Sequence, residues 1–167
     1  MTPATEGLEG NTNELTSLLA GVAGEYLVAA ELSLRGYIAS ITLRNTKGVD
    51  ILCSNSSATK SVGIQVKTNR GSKRDWIMNE KSDTFHAKNL FYVFVNLNDL
   101  KRPPEYFIVP SKIVSDYTSS THAEWMNTPN RKGMPHKDGS MRKFRDLEEK
   151  YLNRWDLLHL AKATDVL

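Results

Sequence analysis

Cysteine is nearly absent from this chain: Cys53 stands alone. A lone thiol excludes an internal disulfide and any zinc site built on cysteines. Its place in an apolar stretch reads as an inert core thiol, and the shortage fits a cytoplasmic setting. Long apolar runs are missing too. No stretch approaches the roughly 20 apolar residues that span a bilayer. The first residues, Met1–Gly7, have neither the basic start nor the apolar segment of a signal peptide. No membrane partner is therefore expected. The histidines, His86, His122, His136 and His159, lack metal-ligand spacing. Serine and cysteine nucleophile motifs are absent, as are internal repeats. The net charge of +3 is too small by itself to argue for a polyanionic partner.

What is present suits one soluble domain. The chain has 167 residues, 40% hydrophobic and 25% charged, enough for a core of its own. Residues 1–12 read as a flexible tail and 13–167 as a single domain. A helix is expected from Asn13 to about Arg35, capped by Asn11, Thr12 or Asn13 and ended by Gly36. Strands are expected over Tyr37–Leu43, Gly48–Ser54, Ser61–Thr68, Leu90–Asn96 and Tyr106–Val109. Asn69–Asn89 reads as a crossover with a short helix near Asp83–Lys88. Pro110 opens a short helix through Tyr117. Thr118–Ser140 is the least ordered-looking internal segment. Phe144–Leu160 reads as a last helix, with Leu147, Tyr151, Trp155 and Leu158 on one stripe. This order predicts an α/β fold with a mixed central sheet.

Polar residues intrude on three surfaces that should be core. In Ser61–Thr68, Val62, Ile64 and Val66 share one face, while Gln65 and Lys67 share the other with Gly63. Asp50 stands among Val49, Ile51 and Leu52. On the first helix Leu18, Val22, Glu25, Ala29 and Leu32 fall on one stripe, with a carboxylate in the middle. Burying such groups without partners costs free energy, so a shared site is the reading that explains them together. Phosphodiester hydrolysis needs a divalent cation, an activated water and stabilisation of the leaving oxygen. Magnesium takes oxygen ligands and keeps several waters. Asp50 is the first ligand candidate, Gln65 offers an amide oxygen, and the Val66 carbonyl is another. Lys67 can orient or deprotonate the water, or counter charge on the phosphate. Glu25 can reach the metal through water or hydrogen-bond Lys67.

Gly24-Glu25 in a helix, Gly48-Val49-Asp50-Ile51 opening a strand, and Gln65-Val66-Lys67 in the next strand together resemble the PD-(D/E)XK nuclease superfamily. The resemblance covers Leu15–Thr68, with Leu90–Asn96 as the later strand. It is similar above all to the Holliday-junction resolvase-like and Mrr-like branches. It implies an αβββαβ core flanked by helices and a Mg²⁺- or Mn²⁺-dependent endonuclease acting on DNA. Asp50 would match the first Asp of the motif, Gln65 the second acid, Lys67 the lysine and Glu25 the helical acid. Two departures stand out. Val49 replaces the usual proline, and Gln65 removes one negative charge from the metal site. The resemblance also raises pairing of two copies, a homodimer, for cutting two strands.

Two basic clusters are compatible with phosphate contacts. Lys67–Lys88 carries six Lys/Arg against three acids, and Arg131–Arg145 six against Asp138 alone. Arg70, Lys73, Arg74 and Trp76 are candidates to grip or stack on a nucleic-acid strand, although Trp76 reads equally as a core or lid residue. The alternative to an enzyme is a nuclease-fold module, weakened by Gln65, that binds nucleic acid or a partner protein. A protein-interaction domain indifferent to DNA is the third reading.

Overall fold

The structure, a computed structural model, describes residues 15–43 and 48–160. The expected tail 1–12, the caps at Asn11–Asn13 and the stretch 161–167 lie outside the described residues. Helix α1 (Ser17–Leu34) is capped by Thr16, whose hydroxyl accepts from Leu19 N–H at 3.2 Å. Gly36 ends it, as expected, with a left-handed φ of +81°. The buried stripe is Ala20, Gly24, Val28 and Leu32, not the expected Leu18–Leu32 stripe, and Leu18 faces solvent. Small residues decide the rotation. Gly24 lets the helix touch the sheet so closely that a Cβ there would lie 1.9 Å from Thr68 Oγ1. By length and composition alone α1 would also pass for a membrane span; here one side of it is packed on the sheet.

The sheet has the order β1-β2-β3-β5-β6, from β1 (Ile38–Ile41), β2 (Ile51–Ser54), β3 (Ser61–Asn69), β5 (Leu90–Asn96) and β6 (Glu105–Pro110). It is mixed: β3 and β5 are parallel and the other pairs antiparallel. The crossover from β3 to β5 runs through β4 (Asp75–Asn79) and a 3-10 turn at Glu80–Asp83. No helix forms at the expected Asp83–Lys88. Instead β4 pairs with β7 (Met141–Arg145) in a separate two-stranded ribbon. The second helix, α2 (Ser111–Asn127), follows β6. The expected mixed sheet flanked by helices is therefore observed, with the second helix placed after the fifth sheet strand in sequence.

Alternation along β5 and β6 builds a core on each face. One face packs Ile64, Val66, Val93 and Ile108 against α1, Trp155 and Leu158. The other packs Tyr92, Phe94, Phe107 and Val109 against Trp76, Met78, Val114 and Phe144. This explains the uninterrupted apolar run of β5, whose seven residues are all buried.

Two sequence expectations fail for local reasons. Helix α2 continues past the expected Tyr117 to Asn127; its buried face is Ser111, Val114, Ser115 and Thr118, with none buried beyond, so no apolar period marks the extension. Those hydroxyls are bonded: Ser115 Oγ donates to Asp83 O at 2.6 Å, and Ser111 Oγ to Ala87 O at 3.0 Å. The expected last helix over Phe144–Leu160 is instead β7, a turn and a 3-10 helix at Trp155–Leu158. Buried Asp146 breaks it, accepting from Lys150 N–H at 2.9 Å and Tyr151 N–H at 2.8 Å. Its side chain thereby competes with the helical hydrogen bonds.

Candidate active site at the end of β2

Asp50 lies immediately before β2 and grips β3 at two points. Its N–H donates to Ile64 O at 2.8 Å, and its carboxylate Oδ2 accepts from Val66 N–H at 2.7 Å. The two contacts flank Gln65. Beyond them β2 has no residue to offer, so the Asp50 side chain closes the ladder in place of a strand. In a β-strand the N–H and C=O of one residue point to the same side. The Val66 carbonyl is therefore directed, like its N–H, toward Asp50 and the open end of β2.

Gly48 shapes the approach. It holds φ at +77°, and a Cβ there would lie 2.4 Å from Phe85 Cζ. The Gly48-Val49-Asp50 step thus requires glycine twice over, for its left-handed backbone and for the ring beneath it.

Gln65 and Lys67 share the face opposite Val62, Ile64 and Val66. In the parallel register they lie beside Tyr92 and Phe94. The second core covers β5 and β6 but leaves this part of the sheet open: Gln65 and Lys67 are half-buried and Leu52 is 56% exposed. Tyr92, expected as part of the strand Leu90–Asn96, lies beside Gln65. Burial first, then the charge of Asp50, pushes its phenol up to about 12. A tyrosine amid Phe91–Val95 was the one available signal, since its hydroxyl is the only polar group in that run.

Glu25 comes from the other layer. Helix α1 packs on the Val62/Ile64/Val66 face, and Glu25 is half-buried next to Gly24, which abuts Thr68. That contact lies at the far end of β3, past Ile51, the first residue of β2. The four predicted residues thus fall on both faces and the plane of the sheet, at the point where one strand has stopped. Among the described residues no three His, Cys, Asp or Glu side chains cluster. The Asp50 carboxylate and the Val66 backbone meet at this open end, and Gln65, between the two strand contacts, carries an amide oxygen. All offer oxygen, the donor that a small hard cation prefers.

The predicted nucleic-acid contacts divide. Lys73 and Arg70 are exposed, with Arg70 Nη1 donating to Leu15 O at 2.9 Å. Arg74 is turned inward, ion-paired with Glu149 and, at 3.6 Å, with Glu105; its guanidinium also lies 5.6 Å over the Phe107 ring. Trp76 is corrected from a stacking candidate to a core residue. It is 1% exposed, packed 4.9 Å from Phe94 and 5.0 Å from Phe107, so no base can reach its ring. In the second basic cluster Arg142 is likewise spent, donating to Asp83 at 2.7 Å.

No family model and no curated protein matches this sequence. Among solved structures, a bacterial homing endonuclease, I-Ssp6803I, superposes over 86% of this chain and 91% of its own, at a TM-score of 0.52 and 11% identity. At that identity the likeness is one of fold, and the fold is of a nuclease type.

Proposed function

We propose that the end of β2 is the active site of a divalent-metal-dependent DNA endonuclease of the PD-(D/E)XK kind. The observation that carries this reading is the hydrogen bond from Val66 N–H to the Asp50 carboxylate, which fixes an acid against the Gln65-Val66-Lys67 strand. The fold-level likeness to a homing endonuclease supports it. Asp50, Gln65 and the Val66 carbonyl would hold Mg²⁺ or Mn²⁺. When bound, such an ion neutralises phosphate charge and lowers the pKa of a coordinated water.

The chain's own groups do the rest. Lys67 orients the attacking water or takes its proton, or as the ammonium counters charge on the phosphate. Glu25 supports from α1 past the open end of β2, through a water or by hydrogen-bonding Lys67. The water oxygen bonds to phosphorus, the bond to the leaving deoxyribose oxygen breaks, and that oxygen takes up a proton. Arg70 and Lys73 supply phosphate contacts beside the site. One such site cuts one strand, so cutting a duplex through calls for two copies acting as a pair.

The test is cleavage of linear, circular and branched DNA with Mn²⁺, with Mg²⁺ and with chelator. Asp50→Asn and Lys67→Ala should each lower the rate at least about a hundredfold with the melting temperature retained. Wild-type cleavage in either variant refutes the assignment. Gln65 favours a second reading, because it leaves Asp50 as the one charged ligand from the strands. In that reading the chain is a module that retains DNA equally with metal or chelator and cuts nothing.

A further inference from the structure

The β4–β7 ribbon stands apart from the main sheet and has two unlike faces. Its inner face, Trp76, Met78 and Phe144, is buried in the second core. Its outer face carries Asp75, Ile77 and Asn79 opposite Arg145, Lys143 and Met141. Two of these are large apolar side chains left in water: Ile77 is 66% exposed and Met141 61%. Apolar groups on an edge ribbon invite unwanted strand pairing and are usually replaced by charge, so their presence beside Lys143 asks for an occupant. Along one flank the outer face continues into a groove of about 560 Å³ that Ile77 and Lys143 share with Arg70, Lys73 and Asp99. The cations of this surface are Arg70, Lys73, Lys143 and Arg145; its acids are Asp75 and Asp99. Asp75 is already answered by Lys143, whose ammonium lies 3.9 Å away. The excess is positive, and it begins one residue beyond the end of β3, the strand that carries Lys67.

We infer that the outer face of this ribbon enters a groove of duplex DNA and is the chain's sequence-reading element. The inference rests on the reading of the chain as a DNA-cutting protein and adds to it the element that would choose where it cuts. The major groove, about 12 Å wide, admits a two-stranded ribbon, whose strands lie only about 4.8 Å apart. Lys143 and Arg145 meet phosphates or guanine edges. Ile77 and Met141 meet thymine methyls, the apolar feature that the groove wall offers, and Asn79 can pair with an adenine edge. Single-stranded nucleic acid offers no such groove, and an acidic protein surface would answer the cations but leave the pattern of Ile77, Asn79 and Met141 unread.

The experiment measures binding without cleavage, in chelator. The wild-type chain is first used to select duplexes from a randomised pool, and affinities for a selected and a scrambled duplex are then compared. Lys143→Ala with Arg145→Ala should flatten the slope of log K against log salt by about 2, at close to one unit for each lost phosphate contact. Ile77→Ala with Met141→Ala should leave that slope in place and cut the ratio between selected and scrambled duplex about tenfold or more. All four side chains point outward, so an unchanged melting temperature confirms the fold. Wild-type slope and ratio in both double variants overturn the inference, as does an equal loss of affinity for single-stranded and duplex DNA. The outcomes are separable from those at the catalytic site. If the wild type cuts and the ribbon variants bind normally, only the groove assignment falls. If the ribbon variants lose binding and the wild type never cuts, the groove assignment stands and the nuclease reading falls.

Discussion

At the scale of single residues, Asp50 has two duties that mutation can separate. It satisfies Val66 N–H at 2.7 Å, and in the proposed site it would offer oxygen to a cation. Asp50→Ala leaves that donor without its acceptor, which should cost about 1–3 kcal/mol of stability. Asp50→Asn keeps an oxygen for Val66 N–H and should cost distinctly less in urea unfolding, while both substitutions remove the charged ligand. Equal stability of the two variants would show that the hydrogen bond contributes nothing. Asp50, Gln65 and Lys67 stood out in the sequence because polar groups interrupted β-branched alternation. The backbone hydrogen bond that fixes Asp50 was not legible there, because it depends on where β2 begins. Trp76 misled for a related reason: its burial is created by Phe144 and by partners on β5 and β6, none of them near it in sequence.

At the scale of elements, α1 is set by its smallest residue. Alanine is intrinsically better than glycine within a helix by about 1 kcal/mol, so Gly24→Ala would stabilise an isolated α1. In the folded chain the added methyl meets Thr68, whose Oγ1 lies 1.9 Å from the ideal Cβ and whose own Cβ lies at 3.0 Å. The clash should prevail, with a net loss of about 1–3 kcal/mol, partly recovered when Thr68→Ala is added. Thermal unfolding of the single and double variants checks this; a more stable Gly24→Ala would mean that the helix rides higher on the sheet. The helix itself, its glycine stop and all five strands of the main sheet could be read from periodicity and punctuation. The start of α2 could be read as well, but not its continuation to Asn127, where no large apolar side chain is buried to mark a period; nor could β7, which ends at Asp146, whose side chain folds the chain back on itself.

At the scale of the whole molecule, the two cores each hold a tyrosine that resists ionisation. Burial and Asp50 push Tyr92 to about 12, from an ordinary 10.0. Burial and Glu31, opposed by Arg35, take Tyr106 to about 12 as well. A folded-state pKa above the unfolded value means that the unfolded chain loses its proton first as pH rises. The stabilising contribution is then complete below pH 10 and lost progressively between 10 and 12. The urea midpoint should fall across that window, and Tyr92→Phe should make the fall shallower. A flat profile would mean that neither phenol is held neutral by the fold.

The pairing of Asp75–Asn79 with Met141–Arg145 has a consequence for how such a protein is made. During synthesis on the ribosome the earlier strand emerges long before its mate has been translated, so Trp76 must wait for Phe144 before its cover is complete. Joining such distant segments is a slow, late event. Evolution meets the same separation: if this ribbon reads the target as inferred, a change of target site would need coordinated substitutions in two remote stretches of the gene, and no single loop exchange would deliver it.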